Sequence, residues 1–293
     1  MRRLIVNADD FGVTPGVNRA IVEANQQGIV TSATLMANSK AFDGAVESAG
    51  TLAQRGARFS VGCHLVLVDG EPLSPAERIP TLIERNGVTR FREQLSSFAM
   101  AALGRRIAED ETEIEASAQI ARVQRAGIKV SHFDTHKHAH IFPAVLRPLL
   151  RAAREHGITA VRNPFDAPLP LPVSRILGDL KLCKRFAQMT GLRSFAPGFR
   201  REVAAHGLRT TDGCLGVLVT GVLDLDLFVQ IASRIPEGTW EFVCHPGYND
   251  SDLDNIRTRL RASRQQELQV LTSPEAKQAL ERRDVELISY HEL

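Results

Sequence analysis

The chain has 293 residues, of which 43% are hydrophobic and 24% charged, and its formal net charge is +2. These proportions are typical of a globular protein whose core is large enough to fold without disulfides or a structural metal. The basic residues are scattered, which argues against the concentrated positive surface of a nucleic-acid-binding protein. No apolar run approaches the roughly 20 residues of a membrane span, and no signal peptide follows Met1, so we expect a cytoplasmic protein.

Cysteine usage agrees with a reducing compartment. The four cysteines, at positions 63, 183, 214 and 244, are widely separated and form no C-x-x-C pair. This spacing matches neither a disulfide framework nor a zinc ribbon.

Short β-branched segments alternate along the chain with longer segments of helical periodicity, which is typical of βα units around a parallel sheet. The predicted strands are residues 4–7, 32–36, 60–67, 129–134, 160–162, 216–220, 240–244 and 285–289. The predicted helices are residues 16–27, 41–53, 108–126, 143–156, 173–190, 225–235, 253–271 and 274–282. This α/β alternation fits a (β/α) barrel forming one domain over residues 1–293. A doubly wound open sheet stays an alternative, because one sequence does not fix the number of strands.

Two stretches interrupt the alternation. Residues 69–106 contain three prolines followed by a partly helical insertion. Residues 163–200 begin with a proline-rich segment and end in a loop rich in Phe, Gly and Arg. Both follow predicted strands, where the loops of a barrel build substrate sites. We interpret them as substrate-covering loops or as ordinary surface insertions.

Two adjacent carboxylates, Asp9 and Asp10, follow the first predicted strand. Two like charges at a strand end are costly unless a cation or ordered donors neutralise them. In a hydrolase such a pair can divide the work, with one carboxylate binding a metal and the other accepting a proton. The structural alternative is that one of them caps the following helix.

Histidines lie in or directly after three other predicted strands. They are His64 in an apolar strand, His245 before a Pro-Gly turn, and the cluster His132, His136, His138 and His140. Imidazole binds Zn²⁺ and similar cations well, and Asp134 is placed to orient one of the rings. Taken singly, each histidine is also consistent with core packing or with a polar turn.

Four of these residues fall at or near the carboxyl ends of separate predicted strands: Asp10, His64, His136 and His245. In a (β/α) barrel those ends share one face. One carboxylate and two imidazoles with open positions suit a hydrolytic metal centre, in which the metal activates water and polarises a carbonyl. Their convergence predicts an active site.

The set and order of these motifs resemble the YdjC-like family of carbohydrate deacetylases, which includes chitooligosaccharide deacetylases and hopanoid-biosynthesis-associated proteins. The matching segments are residues 5–12, 28–32, 62–65, 134–140 and 244–247. The loop at 66–73 looks closer to the hopanoid-associated branch. The resemblance implies a distorted TIM-like barrel and one divalent metal ion, either Zn²⁺ or Mg²⁺.

The resemblance also implies roles by motif position. The metal ligands would be Asp10, His64 and His136. Asp9 would be the general base, and His245 would protonate the departing amine. Three further residues are predicted to contact the substrate: Asn7, His138 and Arg162. Lys137 stands where many relatives carry a histidine, so no role is transferred to that position.

The implied reaction removes the N-acetyl group from an N-acetylglucosamine-containing sugar or glycolipid, for example an N-acetylglucosaminyl hopanoid. We expect a homodimer without a membrane span that makes transient contact with lipid head groups if the substrate is a lipid. Two alternatives stay open. One is another metal-dependent hydrolase acting on a phosphoester or a cyclic amide, and the other is a non-catalytic sugar-binding protein on an enzyme-like barrel.

Overall fold

The computed structural model describes residues 1–84 and 89–293. Within them, one parallel sheet contains the strands β1 (Arg2–Phe11), β2 (Ser32–Leu35), β3 (Ser60–Leu65), β4 (Phe133–Thr135), β5 (Gly213–Leu215), β6 (Gly238–Cys244) and β7 (Val285–Leu287). The helices are α1 (Pro15–Gln26), α2 (Phe42–Gln54), α3 (Leu95–Leu103), α4 (Glu109–Arg125), α5 (Pro143–Glu155), α6 (Val173–Leu177), α7 (Leu180–Leu192), α8 (Ala196–Ala205), α9 (Leu225–Ala232), α10 (Ser251–Asp254), α11 (Ala262–Leu271) and α12 (Pro274–Glu281). Residues 85–88 of the first predicted insertion lie outside the described residues.

Strand β1 is the centre of the sheet, because it pairs in parallel with β2, β6 and β7. The strand order is β4-β3-β2-β1-β6-β5, with β7 paired to the amino-terminal part of β1. Every residue from Leu4 to Phe11 is buried, as expected for a parallel strand covered on both faces.

Isolated bridges continue the sheet from β4 round to β5. Phe133 bridges Val161, Ala160 bridges Arg209, and Asp166 bridges Cys214, all in parallel. These bridges join the two edges of the sheet into a ring. The predicted distorted TIM-like barrel is therefore confirmed, and the open-sheet alternative is wrong. The segment predicted as a strand at 160–162 contributes only the bridges at Ala160 and Val161.

Side chains on β1 alternate between two environments, as the pleat requires. Leu4, Val6 and Ala8 belong to the large apolar core beneath the helices. Ile5 belongs to a separate small apolar cluster with Ala160, Ile288 and Tyr290. Asn7 and Asp9 follow Ile5 on this inner side, so the barrel interior changes from apolar to polar towards the carboxyl ends of the strands.

One predicted strand is wrong. Residues 216–220 were expected to be extended, but the strand is β5, and a 3₁₀ turn at Val217–Val219 follows it. Gly216 between them has φ 94°, and a Cβ at this position would lie 2.3 Å from the carbonyl oxygen of Val243. The chain therefore leaves the sheet at this glycine, and tertiary packing overrides the β-branched composition.

Three helical predictions also change. The segment 173–190 is divided into α6 and α7 because Asp179 caps α7 by accepting hydrogen bonds from the amides of Lys181 and Leu182. The segment 253–271 is divided into α10 and α11. Residues 196–205, expected in part as loop, form α8.

All four cysteines are free thiols. Among the described residues, no helix is both long and apolar enough to cross a bilayer.

Candidate active site

The polar half of the barrel interior is built by alternation on several strands. Residues facing outward, such as Cys63, Phe133 and Phe242, join the apolar core. Residues that alternate with such positions on the strands face inward and are polar: Thr34, His64, Asp134 and Glu241. Polar residues at every second strand position thus converge on one compartment, at the end where the parallel strands finish.

Asp9 and Asp10 would point to opposite faces of a regular strand. Asp10 instead has φ 67°, and the register between β1 and β2 shifts between Ala8 and Phe11. This bulge-like irregularity lets both carboxylates approach the same imidazole, because each has an oxygen within 4.8 Å of a ring nitrogen of His64. A non-glycine residue at positive φ next to reactive groups is typical of a functional site.

Asp10, His64 and His136 converge as the sequence predicted. Asp10 Oδ1 lies 3.7 Å from His64 Nε2 and 3.6 Å from His136 Nδ1. The three ligand atoms face one another at distances longer than hydrogen bonds, which fits a shared cation. His64 is almost fully buried, whereas 24% of the His136 side chain is exposed, so the cluster opens to solvent beside His136.

The local charge also fits a divalent cation. Arg162 and Arg264 contact four buried carboxylates: Asp9, Asp134, Glu241 and Asp10. Two guanidinium groups balance two of these four charges, and without a metal the imidazolium of His64 beside Asp134 balances a third. A metal bound to His64 must displace that proton, which leaves two negative charges for the ion to balance. Buried charges are normally paired, and a divalent ion at Asp10, His64 and His136 would complete the pairing.

Asp134 orients His64. The Nδ1–H group of His64 donates to Asp134 Oδ1 at 2.7 Å, which leaves Nε2 directed at Asp10. Burial alone would lower the pKa of His64, but the negative charge of Asp134, with Asp9 and Asp10, raises it to about 9. A cation at Nε2 must displace this proton, so metal binding should strengthen as the pH rises.

Asp9 is held by Arg162 in a bidentate ion pair, with Nη2 at 2.6 Å from Oδ1 and Nη1 at 2.8 Å from Oδ2. Burial of Asp9 would raise its pKa, but the charge and hydrogen bonds of Arg162 outweigh this effect and hold the pKa well below its usual range. Asp9 is therefore an ionised carboxylate held in one orientation. It lies beside the three possible metal ligands Asp10, His64 and His136, which form a group without it.

Arg162 and Asn7 do not present free groups to a substrate. Arg162 is fully buried and also donates to Asp134 and Glu241. Asn7 is fully buried and donates to Asp9 and Thr34. Direct substrate contact, as predicted from the sequence, does not fit this burial, and both residues are better described as supports of Asp9.

Replacing Arg162 with Met should destabilise the fold by about 3–5 kcal/mol, because three buried carboxylates would lose their common cation. Chemical denaturation measures this loss. Arg151→Met is the matched control, since Arg151 pairs with Glu109 and Glu113 at a partly exposed position, where about 1 kcal/mol or less is expected. Equal losses in the two variants would contradict the structural role of Arg162.

The histidine-rich segment after β4 divides into different roles. His140 is buried, with Nδ1 at 2.6 Å from Thr135 Oγ1 and Nε2 at 3.3 Å from the carbonyl oxygen of Arg162, so it supports the loop. Lys137 donates to Asp69 at 2.7 Å and ties the loop to the first insertion. His138 is half-buried, and burial with the charge of Arg162 lowers its pKa to about 3. It is a neutral ring, and its predicted contact with substrate stays a prediction.

His245 follows β6 and lies near Asp9, with its Nε2 3.9 Å from Asp9 Oδ2. Its backbone amide donates to Glu267 Oε2 at 2.6 Å. Its Nδ1 is buried without a hydrogen-bond partner in the described residues. The imidazole of His245 therefore lies beside Asp9, the predicted base, and the hydrogen bond to Glu267 fixes the His245 backbone.

Helix α11 supplies two residues that the sequence prediction missed. Arg264 donates to Asp10 Oδ2 at 2.5 Å, and Glu267 fixes the backbone of His245. Both residues are buried although they are charged. Gly247 gives Arg264 room, because a Cβ there would lie 2.9 Å from Arg264 Cδ. The glycine two residues after His245 was the only sequence signal for this close approach.

Asp166 is a buried carboxyl outside this cluster. Burial raises the pKa of Asp166 to about 7, although the hydrogen bond that the thiol of Cys214 donates at 3.1 Å opposes this rise. The folded chain therefore keeps a proton that the unfolded chain loses near its ordinary pKa of 3.8. Stability should fall as the pH rises between these two values, by at most about 4 kcal/mol.

The asparagine of an Asp166→Asn variant does not titrate, so the variant does not bear the cost of ionising a buried carboxyl group. We expect this variant to melt at a higher temperature than the parent at pH values above about 7, with little difference near pH 4. Thermal unfolding across that range measures the effect. A constant difference between the two proteins at every pH would contradict the assignment.

The chain is similar to known proteins over nearly its whole length. A family model described as YdjC-like protein matches residues 3–282. Proteins named carbohydrate deacetylase from Brevibacillus brevis and Geobacillus stearothermophilus are each 32% identical and cover 99% of this chain, which in turn covers 99% and 98% of them.

Solved structures also match the chain over nearly its whole length. A structure from Enterococcus faecalis, described as a putative cellobiose-phosphate cleavage protein, superposes with a TM-score of 0.77 at 27% identity, covering 99% of this chain and 98% of its own. The lactam utilization protein of Thermus thermophilus has a TM-score of 0.51 at 15% identity, covering 98% of this chain and 99% of its own, and shares the fold alone.

Proposed function

Because the chain belongs to the YdjC-like protein family, we propose that it is a metal-dependent hydrolase that removes the N-acetyl group from an N-acetylglucosamine-containing sugar or glycolipid. The full-length relatives named carbohydrate deacetylase support the deacetylase activity. The observation that carries metal dependence is the convergence of Asp10, His64 and His136 beside Asp9. The more specific proposal is that the substrate is an N-acetylglucosaminyl lipid.

Asp10, His64 and His136 would hold one divalent ion. When bound, such an ion polarises the acetamide carbonyl and lowers the pKa of water. Two imidazoles among the three ligands favour Zn²⁺ or another transition ion over Mg²⁺, which prefers oxygen ligands. Arg264 holds the second oxygen of Asp10 and leaves the first one for the ion.

Asp9 takes the proton from the water that attacks the acetamide carbon. Arg162 fixes both Asp9 oxygens, so the carboxylate does not rotate away, and its low pKa keeps it ionised at working pH. The C–N bond then breaks, and His245 donates a proton to the sugar nitrogen. The products are acetate and a free amine.

His245→Ala should lower kcat by about 10²–10⁴-fold while the bound metal content stays unchanged, because the residue donates a proton and is not a ligand. Steady-state acetate release, together with metal analysis of the same sample, measures both quantities. A kcat within about threefold of the parent would remove His245 from the mechanism.

The test of the reaction is acetate release by metal-stripped protein re-supplied with Zn²⁺, Mg²⁺, Mn²⁺ or Co²⁺. The substrates are a chitooligosaccharide and an N-acetylglucosaminyl lipid. A phosphate monoester and a cyclic amide represent the alternative hydrolases. Metal-dependent acetate release confined to the N-acetyl substrates would support the proposal. Turnover of the phosphoester or the cyclic amide alone would reassign the reaction.

A further inference from the structure

Exposed apolar side chains are concentrated in two places. Apart from Met1, the large hydrophobic residues that are exposed in the described part of the chain lie on α3 and in the segment 169–192. Those of α3 are Leu95, Met100 and Leu103. Those of the second segment are Leu169, Val173, Leu177, Leu180 and Leu192. Single exposed apolar residues are ordinary, but such a concentration indicates a binding surface.

The second segment exposes its apolar residues strongly. Leu180 is 85% exposed and Leu177 is 68% exposed, and Val173 and Leu169 precede Leu177 at intervals of four residues. We call these four residues the apolar ridge. The ridge crosses the junction between α6 and α7, where Asp179 caps the second helix.

Cations surround the apolar ridge. Residues 169–193 contain five Lys and Arg side chains and one acidic residue, a net charge of +4 in a chain whose total is +2. Arg175, Lys181 and Lys184 are exposed beside the ridge residues. Apolar side chains next to Lys and Arg are the composition of segments that lie in a membrane interface.

The ridge lies on the insertion that leaves the active-site end of the barrel. The insertion begins directly after Arg162, and Arg193 returns to donate to the carbonyl oxygen of Asp166 at 2.8 Å. Arg185 of α7 donates to the carbonyl oxygen of Thr220, just after β5, at 2.7 Å. Phe195 packs against Phe142, which follows the loop that carries His136.

We propose that the apolar ridge docks this protein onto an anionic lipid surface, with the active-site end of the barrel turned towards the membrane. A second copy of the chain fits less well, because two ridges with a net charge of +4 each would face one another. The proposed docking onto a lipid surface does not depend on the proposed deacetylase activity. The consequence that the preferred N-acetylated sugar is lipid-linked rests on the proposed function.

The test is sedimentation of the full chain with vesicles of phosphatidylcholine, alone or with about 30% phosphatidylglycerol. We expect binding to the anionic vesicles that weakens at high salt. The double variant Leu177→Glu/Leu180→Glu should bind at least about tenfold less tightly. The matched control, Ala53→Glu/Gln54→Glu on exposed positions of α2, adds the same charge and should bind like the parent.

Two further measurements distinguish a failure of docking from a failure of folding or of the proposed deacetylase activity. Acetate release from a soluble chitooligosaccharide should be unchanged in the ridge variant, which also shows that it is folded. Vesicle binding is measured without substrate, so it can succeed or fail independently of deacetylation. Absence of vesicle binding by the parent, or equal binding by the ridge variant, would overturn the proposal. A dimer that the ridge variant abolishes, without vesicle binding, would assign the ridge to a second copy.

Discussion

His136→Ala and His64→Ala should each remove stoichiometric metal binding and lower acetate release by about 10³-fold or more. The expected size follows from the Lewis-acid contribution of a metal, which is worth several kcal/mol, with each 1.36 kcal/mol worth a factor of ten in rate. Metal analysis of the purified variants and their initial rates measure the two losses.

His136 is the more informative of the two positions. Its side chain is partly exposed and lies 3.6 Å from Asp10 Oδ1, beyond hydrogen-bond distance, so its removal should disturb the fold little. His64 is buried against Asp134, and its variant should also lose stability. His206→Ala, at the end of α8, is the control histidine and should keep both metal and activity. Full metal content in His136→Ala would contradict the ligand assignment.

Asp9→Asn should lower kcat by about 10²–10⁴-fold with the metal retained, because the amide cannot accept the proton from water. The variant should lose about 1–3 kcal/mol of stability, since Arg162 loses a charged partner but keeps Asp134 and Glu241. Denaturation curves measured beside the kinetics separate the catalytic effect from unfolding.

Asp166→Asn is the matched control for that experiment. It makes the same substitution at another buried aspartate, outside the cluster around Arg162, and should keep kcat near that of the parent. An Asp9→Asn variant with kcat within about threefold of the parent would remove Asp9 as the base.

The sequence was sufficient to place the four central side chains, because each ends a buried strand or follows one directly. Asp10, His64, His136 and His245 needed only the rule that parallel strands finish at one face of a barrel. The closure of the barrel was only partly predictable, because the bridges at Ala160 and Val161 lie in a segment predicted as a strand, whereas Asp166 lies outside it.

Residues that act through a long-range contact could not be predicted in this way. Charged side chains on a helix usually face solvent. Arg264 and Glu267 of α11 are nevertheless buried against the strand ends. Arg162 was predicted to contact the substrate, because the sequence does not show the three carboxylates that surround it. The predicted homodimer and the identity of the metal ion stay predictions.

The most direct test of the account is a titration of metal-stripped protein with Zn²⁺ while acetate release from a chitooligosaccharide is followed. The site at Asp10, His64 and His136 predicts that the rate rises with added metal and reaches a plateau at one ion per chain. Acetate release that persists undiminished in excess chelator would contradict a metal-dependent deacetylase.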